Sequence, residues 1–285
     1  MTTNTRPATP WRLKVYTLGR FALVLDNEAL RFRGKVQKKP LELLKALIAM
    51  GGRQVSHERI SDVLWPDADG DAAQISFKTT LHRLRKLIGA QAIFVQDGKV
   101  TLDDRYCWSD VWAFDRLLTR LESVIVDHLS TPAELNAALE HCAALHQGPF
   151  LCRDSEYPWS LSLREKLRSR WLRALRSSIT LLGHQGECES VVHWLAKAIE
   201  VNPLAEESYR GLMACLAGQG QRAEALALYQ HCHAVLATEL DIEPSAKTLE
   251  LYQAIRQDDK LYLHCDACHV ATPGVRHPAR VLVME

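Results

Sequence analysis

The 285-residue chain has no uninterrupted apolar run near the roughly 20 residues that a membrane-spanning helix needs, although 47% of its residues are hydrophobic. Its opening segment, MTTNTRPATPW, also lacks the apolar stretch of a secretory signal peptide. We therefore expect a soluble, cytoplasmic protein without membrane contact. The length is sufficient for two ordinary domains, each with its own core.

The sequence also lacks the short motifs of several large enzyme classes. It contains no GxxxxGK[ST] phosphate-binding loop, no HExxH zinc motif and no GxSxG nucleophile elbow. Acids and histidines show no spacing typical of catalysis. We therefore predict that the protein is not an enzyme, and a hydrolase or transferase is the least favoured alternative.

Most of the eight cysteines lack the regular spacing of a disulfide framework. They are scattered through segments with helical patterns, which favours buried free thiols. These six are Cys107, Cys142, Cys152, Cys188, Cys215 and Cys232.

The other two cysteines lie close together near the end of the sequence, in HCDACH. Cys265, Cys268, His264 and His269 offer thiolate and imidazole ligands for zinc. Three alternatives remain open: a zinc site completed by other groups, a redox-active thiol pair, or a segment without such chemistry. The CxxCH pattern is also that of covalent haem attachment, which requires export and is not supported by the N-terminus. Apart from zinc at this cluster, no cofactor is expected.

The net charge of +1 is the sum of two opposite contributions. Residues 1–103 contain 17 Lys and Arg against 10 Asp and Glu, a net charge of +7. Residues 104–285 contain 18 against 24, a net charge of −6. The positive charge of residues 1–103 attracts phosphate groups, so this charge asymmetry points toward contact with nucleic acid.

The first hundred residues combine short strands with helices. Alternating apolar residues predict strands at 13–15, 21–25 and 30–32, separated by turns at Gly19-Arg20 and Asp26-Asn27. Helical spacing then predicts one helix that ends at Gly51-Gly52 and a second, capped by Ser56, that ends before Pro66.

A third helix is predicted from a capping box at Asp71 and Gln74 to a stop at Gly89. Its buried face should carry Phe77, Leu81, Leu84 and Ile88. Lys78, Thr79, His82 and Lys86 fall on the opposite face, with Arg83 and Arg85 on its flanks. Alone, this pattern also fits a solvated basic face on an ordinary amphipathic helix.

The segment after the third helix favours a role in DNA binding. IFVQ and KVTL are joined by Asp97-Gly98, which predicts a β-hairpin with a type I′ turn. The order of strands, three helices and hairpin resembles the OmpR-type winged helix, most clearly in LGRFAL, the Ser56-led helix ending LWP, and SFKTTLHRLRKLIG. The resemblance implies that the third helix enters the major groove and that the hairpin forms the wing. By position, it assigns groove contacts to Lys78, Thr79, His82 and Arg83, and phosphate or wing contacts to Arg85, Lys86 and Lys99. For Ser56 three alternatives remain open: it caps its helix, it contacts phosphate, or it does both.

From Arg105 to about Arg256 the pattern predicts a run of helices. Thr131-Pro132-Ala133-Glu134 is a capping box with proline at the first helical position. Gly186 and Gly220 lie 34 residues apart, the period of a TPR repeat. Val191 and Ala225, Leu195 and Tyr229, and Ala198 and Cys232 match at the same offset.

Several phrases of this region resemble the bacterial transcriptional activator domain, namely VWAFDRLL, GPFL, PWSLSLREKLR, NPLAEESYRGLMACLAGQGQRAEALALYQ and ELDIEPSAKTLELYQAIR. That domain follows a winged helix in the SARP-type regulators of secondary metabolism. The resemblance implies an activator that binds repeats in double-stranded promoter DNA, as a possible homodimer, and contacts RNA polymerase.

The expected fold is therefore mainly α with a small β component, a winged helix-turn-helix followed by a TPR-like helical domain. The predicted boundaries are 12–104 for the DNA-binding domain, 105–256 for the activator domain and 257–285 for the tail. The main alternative is a TPR-type interaction or ligand-sensing protein without direct DNA readout.

Overall fold

The computed structural model describes residues 11–30, 38–127, 131–153 and 157–257. The chain divides into two compact units. Met1–Thr119 and Glu140–Ser169 form the N-terminal unit, and Arg120–Leu139 and Arg170–Glu285 form the helical unit. The predicted fold class, a winged helix-turn-helix followed by a TPR-like helical domain, is confirmed.

The N-terminal unit begins with a four-stranded sheet whose order is β3-β2-β1-β7. Strands β1 (Leu13–Tyr16), β2 (Ala22–Leu25) and β3 (Glu28–Ala29) form an antiparallel meander. Asp26 and Asn27, with φ of 50° and 67°, form the predicted tight turn between β2 and β3. The third strand was predicted at 30–32 but lies at 28–29, and residues 31–37 are outside the described ranges.

Strand β7 (Cys107–Ser109) corrects the prediction that only helices follow Arg105. It pairs in parallel with β1, with Leu13 opposite Cys107. The next residue, Asp110, is buried and accepts hydrogen bonds from the amides of Thr17 at 2.6 Å and Leu18 at 2.8 Å. Burial raises the pKa of Asp110, and these hydrogen bonds oppose that shift. The sheet of the N-terminal unit therefore includes chain beyond the predicted boundary at residue 104.

Three helices and a second sheet complete the winged part of this unit. They are α1 (Lys38–Ala49), α2 (His57–Leu64) and α3 (Gly70–Ile88), which pack against one another. Strands β4 (Val55–Ser56), β5 (Ile93–Gln96) and β6 (Lys99–Leu102) form a sheet of order β4-β6-β5. The apolar faces predicted for α1 and α3 are buried.

Helices α4 (Asp110–Asp127), α5 (Pro132–Leu145) and α6 (Pro158–His184) each contribute residues to both units. The predicted capping box of α5 is present, because Thr131 Oγ1 accepts from the Glu134 amide at 3.3 Å and Glu134 Oε2 accepts from the Thr131 amide at 3.0 Å. A bridge between Leu18 and Phe150 joins the segment after α5 to the end of β1. Residues 140–169 are thus part of the N-terminal unit, which the sequence pattern did not indicate.

The helical unit continues with α7 (Cys188–Val201), α8 (Glu206–Gly218), α9 (Arg222–Leu240) and α10 (Ala246–Gln257), in which consecutive helices pack together. Gly186 and Gly220 precede α7 and α9 with φ of 77° and 82°, so the predicted 34-residue period coincides with equivalent turns. The three matched residue pairs are buried, as a repeat of helical hairpins requires. None of the helices in the described ranges combines the length and apolar character that crossing a bilayer requires.

Of the six scattered cysteines, Cys107, Cys142, Cys215 and Cys232 are buried free thiols, as predicted. The prediction is wrong for Cys152, which is exposed and donates its S–H to the Gly19 carbonyl at 2.8 Å, and Cys188 is only half-buried. Burial raises the pKa of Cys107 and Cys142 to about 12 and that of Cys232 to about 11.

These differences predict selective alkylation of the folded chain at pH 8. Because the thiolate is the reactive form, iodoacetamide should modify Cys152 about a hundredfold faster than Cys107 or Cys142. Peptide mass spectrometry over a time course measures these rates. Rates should become similar in denaturant, and similar rates in the folded protein would contradict the assigned burial.

Candidate nucleic-acid interface

Helix α3 begins two residues before the predicted start. Asp69 is its N-cap, with Oδ1 accepting from the Ala72 amide at 2.8 Å, so the capping box predicted at Asp71 and Gln74 is wrong. The spacing of Asp71 and Gln74 fits a capping box, but the loop conformation places the carboxylate of Asp69 over the first turn instead. Gly89, with φ of 98°, ends the helix as predicted.

The two faces of α3 are those expected from its periodicity. Phe77, Leu81, Leu84 and Ile88 are buried against the rest of the winged part. The exposed side chains include five that were predicted to contact DNA, namely Lys78, Thr79, His82, Arg83 and Lys86. No acidic residue follows Asp71 on the helix, so apart from Ile75 the exposed side chains from its second turn onward are polar or basic.

Arg85 differs from the other basic residues of α3. It is half-buried, and its Nε and Nη2 donate to the Ile93 carbonyl at 3.2 and 3.0 Å. These bonds tie the last turns of α3 to the first residue of β5. The structure therefore gives Arg85 a scaffolding role, and its predicted phosphate contact stays a prediction.

The β5–β6 hairpin has the predicted turn. Asp97 and Gly98 have φ of 50° and 72°, as both central residues of a type I′ turn require. Lys99 follows the turn, is exposed, and lies opposite Gln96 in the hairpin and Ser56 in β4. The structure thus brings Ser56 and Lys99 together beside the hairpin turn.

Ser56 caps α2, since its Oγ accepts from the Glu58 amide at 3.2 Å. Its predicted cap is confirmed, and a phosphate contact by the same hydroxyl stays a prediction.

His57 is a positioning residue that the sequence reasoning missed. Its backbone amide donates to the Gly98 carbonyl at 3.0 Å, and its Nδ1 lies 2.8 Å from the same oxygen. Its ring centroid lies 5.6 Å from that of Phe77 on the buried face of α3. His57 therefore links the hairpin turn to both α2 and α3. No local pattern marks it, because the contact spans 41 residues of sequence.

The second cluster predicted from sequence, His264, Cys265, Cys268 and His269, lies outside the described residues. Within the described ranges, no group of three or more His, Cys, Asp or Glu side chains is arranged to hold a metal ion. Zinc at the HCDACH segment stays a prediction.

The family model of the bacterial transcriptional activator domain matches residues 109–256. The chain belongs to this family. It also has the arrangement of a SARP-like regulator, with a winged helix before the activator domain, as its sequence resemblance predicts.

Two relatives extend the similarity into the winged region. The chain is 27% identical over 266 residues to the regulatory protein AfsR of Streptomyces griseus, covering 90% of this chain and 26% of that protein. It is 26% identical over 271 residues to AfsR of Streptomyces coelicolor, covering 91% of this chain and 26% of that protein. The chain thus spans about a quarter of the length of these relatives.

A solved structure of EmbR from Mycobacterium tuberculosis, in complex with a low-affinity phosphopeptide, has a similar fold. The TM-score is 0.63 at 18% identity, and the match covers 87% of this chain and 65% of that one. This similarity supports the fold and its domain order.

Proposed function

We propose that the protein is a sequence-specific DNA-binding transcriptional activator, in which α3 enters the major groove of promoter DNA. The observation that carries the proposal is the exposed face of α3, where Lys78, Thr79, His82, Arg83 and Lys86 lie on a helix with no acid after Asp71. Family membership supports the regulatory role.

The dimensions and chemistry of α3 suit this task. An α-helix about 10–12 Å wide with its side chains fits the major groove, which is about 12 Å wide. Lys78, Thr79 and His82, in the first half and middle of the helix, carry groups that bind base edges. Lys86, near its end, is placed to contact phosphate, because the ends of a recognition helix approach the flanking backbone.

The hairpin supplies a second point of contact in this proposal. Lys99 extends from the strand that follows the turn and binds phosphate or the adjacent minor groove. The bonds from His57 to Gly98, and from Arg85 to Ile93, hold the hairpin at a fixed position relative to α3. Such fixed spacing allows the helix and the wing to contact one DNA site together.

Replacing Arg83 and Lys86 by alanine should weaken DNA binding without unfolding the protein, since both side chains are exposed. Each lost phosphate contact lowers the slope of log K against log salt concentration by about one. Fluorescence anisotropy with a duplex selected by the full-length protein, at several salt concentrations, measures affinity and slope.

The matched control replaces Arg116 and Arg153, which are exposed in the N-terminal unit but lie outside α3 and the hairpin. It removes the same charge and should leave the slope nearly unchanged. Wild-type affinity and slope in the Arg83→Ala, Lys86→Ala variant would exclude this face of α3 from the interface.

The helical unit is proposed to contact RNA polymerase, and two copies are proposed to bind adjacent promoter repeats. Similarity to the activator domain family supports this assignment. Crosslinking of the full chain with polymerase holoenzyme on promoter DNA should link residues 170–257 to the polymerase. DNA occupancy without any such crosslink would argue against polymerase contact.

The tandem helical hairpins α7–α10 also suit a protein-interaction or ligand-sensing role without DNA readout. Failure of the full chain to enrich any duplex from a random pool would favour that function. Cytoplasmic location and zinc at HCDACH stay predictions alongside both functions.

A further inference from the structure

Ile75 stands out on α3 because it is apolar and 66% exposed. Among the described residues of the N-terminal unit it is the most exposed large hydrophobic side chain. It does not contribute to the core, whose α3 positions are Ala73, Phe77 and the residues at helical spacing from them. Isoleucine has a lower helix propensity than alanine or glutamine, so stabilisation of the helix does not explain an exposed isoleucine at this position.

The position of Ile75 places it within the basic face. Residues 75, 78, 79 and 82 lie on one side of a helix, since they are three, four and seven residues apart. Ile75 therefore shares its face with Lys78, Thr79 and His82, one turn nearer the N-terminus. In helix-turn-helix proteins, the N-terminal part of the recognition helix makes the contacts with base edges.

We propose that Ile75 packs against the C5-methyl group of a thymine in the major groove, and this inference rests on the proposed DNA-binding function. Isoleucine has no hydrogen-bonding group, so it cannot distinguish bases by donors and acceptors. The thymine methyl is the apolar group that the major-groove edges of the four bases present. The polar and basic neighbours of Ile75 fit a single apolar contact surrounded by phosphate and base contacts, rather than an extended apolar docking surface.

The test removes the methyl group without altering base pairing. A duplex is first selected by the full-length protein from a random pool, and each thymine is then replaced singly by deoxyuridine. For the wild-type protein, one replacement should weaken binding about fourfold, the ratio that corresponds to about 0.8 kcal/mol for one buried methyl-sized group.

The Ile75→Ala variant should bind the original duplex several-fold more weakly and should no longer distinguish thymine from uracil at that position. Ile75→Val, which retains two methyl groups, should preserve most of the discrimination. Leu161→Ala is the matched control, because Leu161 is also exposed in the N-terminal unit but lies on α6. That variant should show the wild-type response at every thymine.

Three outcomes distinguish this inference from the proposed function. Enrichment of a duplex with no thymine sensitive to demethylation overturns the inference alone. The same holds if Ile75→Ala keeps the full wild-type sensitivity at every position. Failure of the pool to yield any bound duplex overturns the proposed function and, with it, the role of Ile75.

Discussion

Replacing Asp110 by alanine should destabilise the N-terminal unit by about 3–5 kcal/mol, because several buried donors would lose their acceptor together. Its Oδ2 accepts from the amides of Thr17 and Leu18. Its Oδ1 accepts from the Thr17 hydroxyl at 2.8 Å and from the Val111 amide at 2.8 Å. Thr17 is fully buried, so water cannot readily replace the carboxylate.

The measurement is hydrogen exchange of the full chain, followed in peptides that cover β1 and β7. A single unfolding midpoint would be less informative, because a chain of two compact units need not unfold in one step. Exchange at Thr17 and Leu18 should accelerate by about two orders of magnitude or more. The matched control is Thr17→Val, which removes one of the four hydrogen bonds to Asp110. It should destabilise the N-terminal unit by about 1 kcal/mol. Unchanged protection in Asp110→Ala would show that Asp110 is not essential to this junction.

Asp110 also shows what the sequence could not predict. The aspartate looks like an ordinary first residue of α4, and its partners Thr17 and Leu18 lie more than 90 residues earlier. Strand β7 could not be predicted for the same reason, because CWS is only three residues long and is a strand through its pairing with β1. Local propensity carries little information about such long-range pairing.

Most features fixed by neighbouring residues could be predicted, the N-cap of α3 at Asp69 being an exception. The turn at Asp97-Gly98 was predictable because Asp-Gly favours the positive φ that both central residues of a type I′ turn adopt. The buried face of α3 was predictable from the helical spacing of its apolar residues. The Ser56 cap and the Thr131–Glu134 box each involve residues two or three apart. The candidate site was predictable to the same extent, since five of its residues lie on one helix.

The arrangement around that helix was not predictable. Spacing placed Arg85 with Arg83 on the flanks of the exposed face, and the family resemblance assigned it a phosphate or wing contact. Its guanidinium instead donates to the carbonyl of Ile93, the first residue of β5. His57 was overlooked because its partner Gly98 belongs to a different element. Both residues form tertiary contacts that position the hairpin. Helical periodicity cannot show which basic side chain of α3 makes such a contact.

Reversing two charges on the exposed face of α3, with Lys78→Glu and Arg83→Glu, should reduce affinity for the selected duplex by about a thousandfold at fixed salt. Each specific contact with a base is worth about 1–3 kcal/mol, and each new carboxylate is repelled by the phosphates. Both side chains are exposed and point away from the buried face, so the fold should be retained, which circular dichroism can verify.

The matched control, Arg116→Glu with Arg153→Glu, changes the net charge equally without altering α3 or the hairpin. Its affinity for the duplex should fall by about tenfold or less, because only the overall electrostatic field of the protein is changed. If both double variants lose affinity equally, the protein attracts DNA by net charge and α3 is not the recognition element. If only the α3 variant loses affinity, and loses promoter activation with it, binding through this helix is required for the regulatory activity.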